Sequence, residues 1–344
     1  TGMAFADFDT AWRESALRDH IDPQHIETAL AFSAPRALEH VRILAQPAWA
    51  GRDAGTSGNT AAAQYIAERL AEYGLQPAGD NGTYFQPFSV SHTMLITTPV
   101  LSLMGANGER QGLRYRVDFR ELAGGQAGGG RVESTIVYVK DPGLDDLRLG
   151  GRVLLTPASE NPFQDTQVAQ SQGAGALLLV TDKWSKDMAV QSSLLLLPRP
   201  QAIPVYELTK EASESLLKLA GYQHTQLEKA PPVLPLSLSA HVDVQLVSTP
   251  TVSVANVLGV LPGRDPQLAN EVVILGAHLD HVGRLPDGTI YPGANNDASG
   301  VAVLLETARL WHERGYRPRR TVLFAAWNAE EMGTLGSKYY VMNP

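Results

Sequence analysis

Between Val272 and Trp327 the spacing of apolar positions changes from continuous to helical and back. Val272 to Leu275 is an unbroken apolar run rich in β-branched residues, which predicts a strand buried on both faces of a parallel sheet. Val301, Leu304, Leu305 and Ala308 then fall at i, i+3, i+4 and i+7, one face of a repeat of about 3.6 residues. Thr321 to Trp327 is a second unbroken run and predicts a second buried strand. A strand, a crossover helix and a further strand define the fold class as α/β: a mostly parallel sheet with helices on both faces.

The earlier part of the chain is punctuated differently. Residues 1–35 combine helix formers with Pro23 and Pro35, which predicts one or two short helices, and a helix is expected over Ala37 to Gln46. The turn-rich stretch Gly51 to Asn59 follows; Thr56 or Ser57 caps a helix with Ala63, Ile66, Ala67 and Leu70 along one face, and Gly74 ends it. From Thr83 to Val117, apolar runs alternate with Gly/Asn turns, as in strands. The run Gly124 to Gly130 has neither a strand before it nor a helix after it, so a linker is a better reading than a phosphate cradle.

Residues from about 131 to 250 read as an inserted domain. Strands are expected at Ile136 to Val139, Val153 to Thr156, Ala176 to Thr181 and Ile203 to Tyr206. Helices are expected at Gln167 to Gly173 and Lys210 to Ala220. Leu194 to Leu197 suit a buried strand better than an exposed tip. Pro231, Pro232 and Pro235 mark a linker, after which Val242 to Val247 and Val252 to Val260 return as strands. The resulting division is 1–125 for the first part of the main domain, 131–250 for the insert and 251–344 for the part that carries the chemistry.

Composition narrows the classes. A net charge of -8 and a pI near 5.6 argue against nucleic-acid or anionic-membrane binding. The chain has no cysteine, so disulfides and thiolate-bound zinc are excluded. No apolar run is long enough to span a bilayer. Oligomeric state is not legible.

The candidate chemistry lies at the ends of the two runs. His278 and Asp280 follow the first, where open α/β sheets place their ligands. Asp280 lies two residues after His278, so in extended chain both side chains point the same way, and a carboxylate there can fix the imidazole tautomer. Glu330 and Glu331 follow the second run. Being adjacent, they cannot share a direction: one suits a metal ion and the other the water to be activated. His, Asp and Glu are natural zinc ligands.

These residues carry a family resemblance. H-x-D at His278, G-A-N-N-D-A-S-G from Gly293 and E-E-x-G-x-x-G-S from Glu330 resemble the core of the di-zinc aminopeptidases, a family that includes glutamate carboxypeptidase-like enzymes. G-R-D-A-G-T-S-G-N from Gly51 and G-L-Q-P-A-G-D from Gly74 extend the likeness. The resemblance implies two Zn2+ ions, His278 and Glu331 as metal ligands, Asp280 as the partner of His278 and Glu330 as general base. It implies a peptide substrate hydrolysed at its N-terminus, and an extracellular or periplasmic location. Residues 131–250, with G-A-G-A-L-L-L-V and A-I-P-V-Y, resemble the β-rich α+β protease-associated domain inserted in such peptidases.

Two departures accompany it. The bridging Asp of the family stands four residues before the Gly of the Ser-Gly pair, and here that position is Asn296, with Asp297 one residue on. Asp297 is expected as the ligand through a shifted turn; a weak metal site and an inactive chain are the alternatives. Two further ligands of the family, an acidic residue on the next strand and a distal His, are not found before Pro344, so the chain reads as the N-terminal portion of a longer enzyme or as one completed by another segment, and is expected to be inactive alone. The competing class is a non-catalytic, receptor-like binding protein on the same fold. Glutaminyl cyclase is disfavoured by His278 at the first ligand position.

Overall fold

The computed structural model describes residues 23–122, 128–141, 147–182, 203–227 and 229–344. In chain order the strands are β1 (Gln76–Pro77), β2 (Phe85–Leu95), β3 (Val100–Gly105), β4 (Arg110–Gly112), β5 (Phe119–Glu121), β6 (Gly130–Val139), β7 (Val153–Pro157), β8 (Ala176–Thr181), β9 (Val205–Thr209), β10 (Val233–Val244), β11 (Leu246–Leu261), β12 (Val272–His278) and β13 (Thr321–Trp327). They form two sheets, one of five strands in the order β1-β11-β13-β12 with β2 also on β11, and one of eight in the order β4-β3-β10-β6-β7-β8-β9-β5.

The five-stranded sheet carries the site. The expected α/β class holds, but the sheet is mixed rather than mostly parallel. Among its described strands only β12 and β13 run parallel, whereas β11 pairs antiparallel with β1, β2 and β13. The reason is connectivity: β2 leaves this sheet for the other one and β11 returns beside it, which makes the pair antiparallel.

Helices cover both faces. Ala34–Leu44, Ser57–Glu72 and Ser299–Glu313 pack on one, where Leu44, Ile66, Leu70, Val301, Leu305 and Phe324 share a core. On the other face Leu335 and Tyr339 of the helix Leu335–Met342 pack against Phe88, Val90 and Val254. The predicted apolar face Val301, Leu304, Leu305 and Ala308 is buried at every position. Burial of each leucine there contributes roughly 1.5–3 kcal/mol. Thr56 caps the helix Ser57–Glu72, its side chain accepting the N–H of Asn59 at 3.3 Å.

β13 is buried along its middle, as its sequence predicts. β12 is not. Val272, Val273 and Ile274 are 54%, 43% and 47% exposed, because among the described strands β12 pairs with β13 alone.

The second sheet starts earlier than the boundary read at residue 131: β3, β4 and β5 already belong to it. Its parallel centre, β6 to β9, is the part that the apolar runs marked. The helices Pro162–Ser171 and Lys210–Leu219 lie along it, the first beginning before the expected Gln167. Pro235 is no linker residue; it lies within β10 beside a register shift, where a missing N–H is tolerated. Val242 and Val244 also belong to β10, and only from Leu246 does the chain rejoin the first sheet. Antiparallel pairing of β2 with β11 therefore makes a two-stranded stalk carrying this unit. Most of Gly124 to Gly130, all of Leu194 to Leu197 and residues 1–22 lie outside the described residues.

Candidate metal centre

Parallel pairing sets His278 opposite Trp327 at the ends of β12 and β13. His278 and the Glu330–Glu331 pair thus emerge at the same edge. Glu330 is reached through Ala329, a buried residue in the left-handed region at φ 53°. Such a conformation costs a non-glycine residue about 1–2 kcal/mol. The Asn328 side chain offsets it by accepting the Ala329 N–H at 2.9 Å.

His278, Glu330 and Glu331 each offer a ligand atom, and these atoms lie within 4.8 Å of one another. That spread and that donor set suit a divalent cation such as zinc. Glu330 is the most open of the three, with 36% side-chain exposure, and lies 3.7 Å from His278 Nε2. Glu331 is better held: its Oε1 accepts from Asn296 Nδ2 at 2.7 Å and lies 3.0 Å from His281 Nδ1.

Asp280 is almost fully buried. Its carboxylate accepts the main-chain N–H of Glu330 at 3.0 Å and of Glu331 at 3.1 Å. His278 Nδ1 lies 3.7 Å from Asp280 Oδ1 and 3.1 Å from the Asp280 carbonyl oxygen, so the imidazole N–H donates to main chain as well as facing the carboxylate. One aspartate thereby fixes the imidazole on one strand end and the glutamates on the next.

The turn from Gly293 settles where the two adjacent amide and acid side chains point. Both oxygens of Asp297 accept main-chain N–H groups, from His278 at 3.1 Å and from Gly300 at 3.0 Å. Asp297 therefore fastens the helix start to β12. Asn296 points between His278 and Glu331: its Oδ1 lies 2.8 Å from His278 Nε2 and its Nδ2 donates to Glu331.

Charge is distributed accordingly. Burial lowers the His278 pKa, but the Asp280 carboxylate facing the ring, then Glu330 and Asp297, outweigh it and raise the value to about 9. Burial raises the Glu330 pKa; His278 opposes this, and the carboxylates of Glu331, Asp280 and Asp297 add to it. A carboxyl group held above its usual range is better suited to accept a proton.

Beneath the site lies Arg52, fully buried. It donates to the carbonyl oxygens of Leu44, Leu279, Pro292 and Gly293 at 2.6 to 3.0 Å, tying the end of β12 to the Gly293 turn. Burial lowers its pKa to about 10, against the pull of Asp280 and Asp297. Gly293 is required beside it, since a Cβ there would stand 2.7 Å from Arg52 Nη2 and 2.6 Å from the His281 ring. Arg52 is thus a loop-pinning residue.

A buried amide relay escaped sequence reasoning. Asn59 and Asn328 exchange a pair of 3.0 Å hydrogen bonds. Asn256 accepts the Asn328 N–H and donates to Gln86 Oε1, each at 3.0 Å. Only the position of Asn328 just before Glu330 offered a signal.

Known proteins resemble this chain in sequence and in fold. Residues 256–344 match the profile described as Peptidase family M28, a span holding all three site motifs. The resemblance read from those motifs is upheld. Leupeptin-inactivating enzyme 1 of Streptomyces exfoliatus is 42% identical over 88 residues, which is 26% of this chain and 18% of that protein. A probable lipoprotein aminopeptidase of Mycobacterium tuberculosis is 31% identical over 199 residues, 57% of this chain and 33% of that protein. The chain thus spans a third or less of the length of these two curated relatives. Among solved structures, an aminopeptidase from Aneurinibacillus sp. strain AM-1 superposes with a TM-score of 0.66 at 23% identity, covering 91% of this chain and 66% of that one. A zinc aminopeptidase from Bacillus subtilis superposes with a TM-score of 0.55 at 22% identity, covering 92% and 66%. The shared fold thus extends well beyond the span matched in sequence.

Proposed function

We propose that this protein is a zinc-dependent aminopeptidase. The observation that carries the reading is the convergence of His278, Glu331 and Glu330 ligand atoms within 4.8 Å at one sheet edge, in a segment similar to peptidase family M28. His278 and Glu331 would hold the ion. Zinc supplies a Lewis acid that polarises the scissile carbonyl and acidifies water. Glu330 takes the proton of the attacking water and returns it to the leaving amine. Asp280 and His281 position the two ligands. Asn296, rather than the expected Asp297, would offer an oxygen to the ion, since it lies between His278 and Glu331 while Asp297 holds the turn. The described residues gather donors for one ion; the second ion of the family pair needs further donors.

The eight-stranded unit is read as the protease-associated domain, set on its β2/β11 stalk to shape access for peptides. An extracellular or periplasmic location fits the resemblance to a lipoprotein aminopeptidase; among the described residues no helix is long and apolar enough to cross a membrane. Asn296 in place of a carboxylate favours a second reading, a non-catalytic binding protein. Hydrolysis of aminoacyl p-nitroanilides separates the two. The enzyme releases nitroaniline from free but not N-acetylated substrates, loses activity to a chelator and regains it with Zn2+. Absence of hydrolysis with two Zn2+ ions bound favours the binding protein.

A further inference from the structure

The two ligand atoms that face each other across the centre are already joined through one side chain. Glu331 Oε1 is a carboxylate oxygen and only accepts, so the Asn296 group 2.7 Å from it is the NH2. The other end of the amide is then the oxygen, 2.8 Å from His278 Nε2, and that nitrogen donates. The chain of bonds runs from imidazole N–H to amide oxygen and from amide N–H to carboxylate. A carboxylate at this position could not make it, since it has no proton to donate and would repel Glu331.

We propose that Asn296 sets the cation affinity of this centre by locking His278 and Glu331 together through its amide. The inference rests on the reading that those two residues hold the ion. A cation entering between them replaces two hydrogen bonds and meets a neutral oxygen donor in place of a second carboxylate. Binding is therefore weaker and more readily reversed than a carboxylate at the same place would give. The lock also keeps both ligands oriented when no ion is bound, so ion removal leaves the fold largely intact.

The test uses Zn2+ alone, in competition with a chromogenic chelator, on the wild-type protein and on Asn296→Asp and Asn295→Asp. Thermal melts of each are recorded with and without Zn2+. Asn295→Asp adds the same charge at the neighbouring exposed position. The expected result is a Zn2+ affinity at least tenfold higher for Asn296→Asp, with a lower melting temperature when metal-free and a wider gap between metal-free and saturated protein. Asn295→Asp should change the affinity less than threefold. Affinities of wild type and Asn296→Asp within threefold would overturn the lock and leave the peptidase reading standing. An equal gain in Asn295→Asp would overturn it too, as a general charge effect. If no variant binds Zn2+, the metal reading falls and the lock with it.

Discussion

The carboxylate of Asp280 accepts the main-chain N–H of Glu331 at 3.1 Å, across the gap between the ends of two neighbouring parallel strands. The same carboxylate takes the N–H of Glu330 at 3.0 Å. The aspartate expected to orient an imidazole thus also fixes the main chain beneath the proposed base. Replacing it leaves two N–H groups without their charged acceptor in a buried place. Asp280→Ala should lower stability by about 3 kcal/mol, and Asp280→Asn by less, since one oxygen remains. Urea unfolding of the metal-free proteins measures this separately from ion binding. Equal stability of wild type and Asp280→Ala would contradict it.

The residues that were legible in sequence are those whose role is set locally. The buried run of β13, the helix face Val301, Leu304, Leu305 and Ala308, and the pairing of His278 with the Glu330–Glu331 end each follow from spacing alone. What was not legible depends on distant partners. Val272, Val273 and Ile274 read as buried on composition, yet their strand has a single neighbour in the described sheet. β3 belongs to the second sheet because of β10, far along the chain. Asn296 and Asp297 differ by one residue, and only the hydrogen bonds of Asp297 to His278 and Gly300 decide which side chain faces the centre.

The amide relay gives a second expectation. Asn328 donates to Asn59 and Ala255 and accepts the Ala329 N–H, all in a buried setting. Asn328→Leu fills the same space without these bonds and leaves several polar groups unpaired. It should cost about 3 kcal/mol and shift the left-handed turn that precedes Glu330. Denaturant unfolding reads the first effect. A loss of Zn2+ affinity alongside it reads the second.

The raised pKa of His278 fixes the sign of a pH effect. Its value in the folded chain is about 9, against an ordinary 6.5. The charged imidazole therefore stabilises the metal-free protein fully below about pH 6.5, and this contribution is lost as pH rises through about 9. His278→Gln should accordingly destabilise the metal-free protein more at about pH 6 than at about pH 9.5. Zinc must displace that proton, so its apparent affinity should climb over the same interval. Melting temperatures of the two proteins at both pH values supply the check, and an equal difference at each would contradict the assignment.

Hydrolysis by Glu330→Gln, measured together with its zinc content, tests the proposed chemistry most directly. The amide keeps the shape of the side chain and cannot take a proton. The account predicts a loss of 10²-fold or more in kcat on an aminoacyl p-nitroanilide, on the order of what a general base contributes, with zinc content equal to wild type. Undiminished kcat in Glu330→Gln, with zinc still bound, would contradict it.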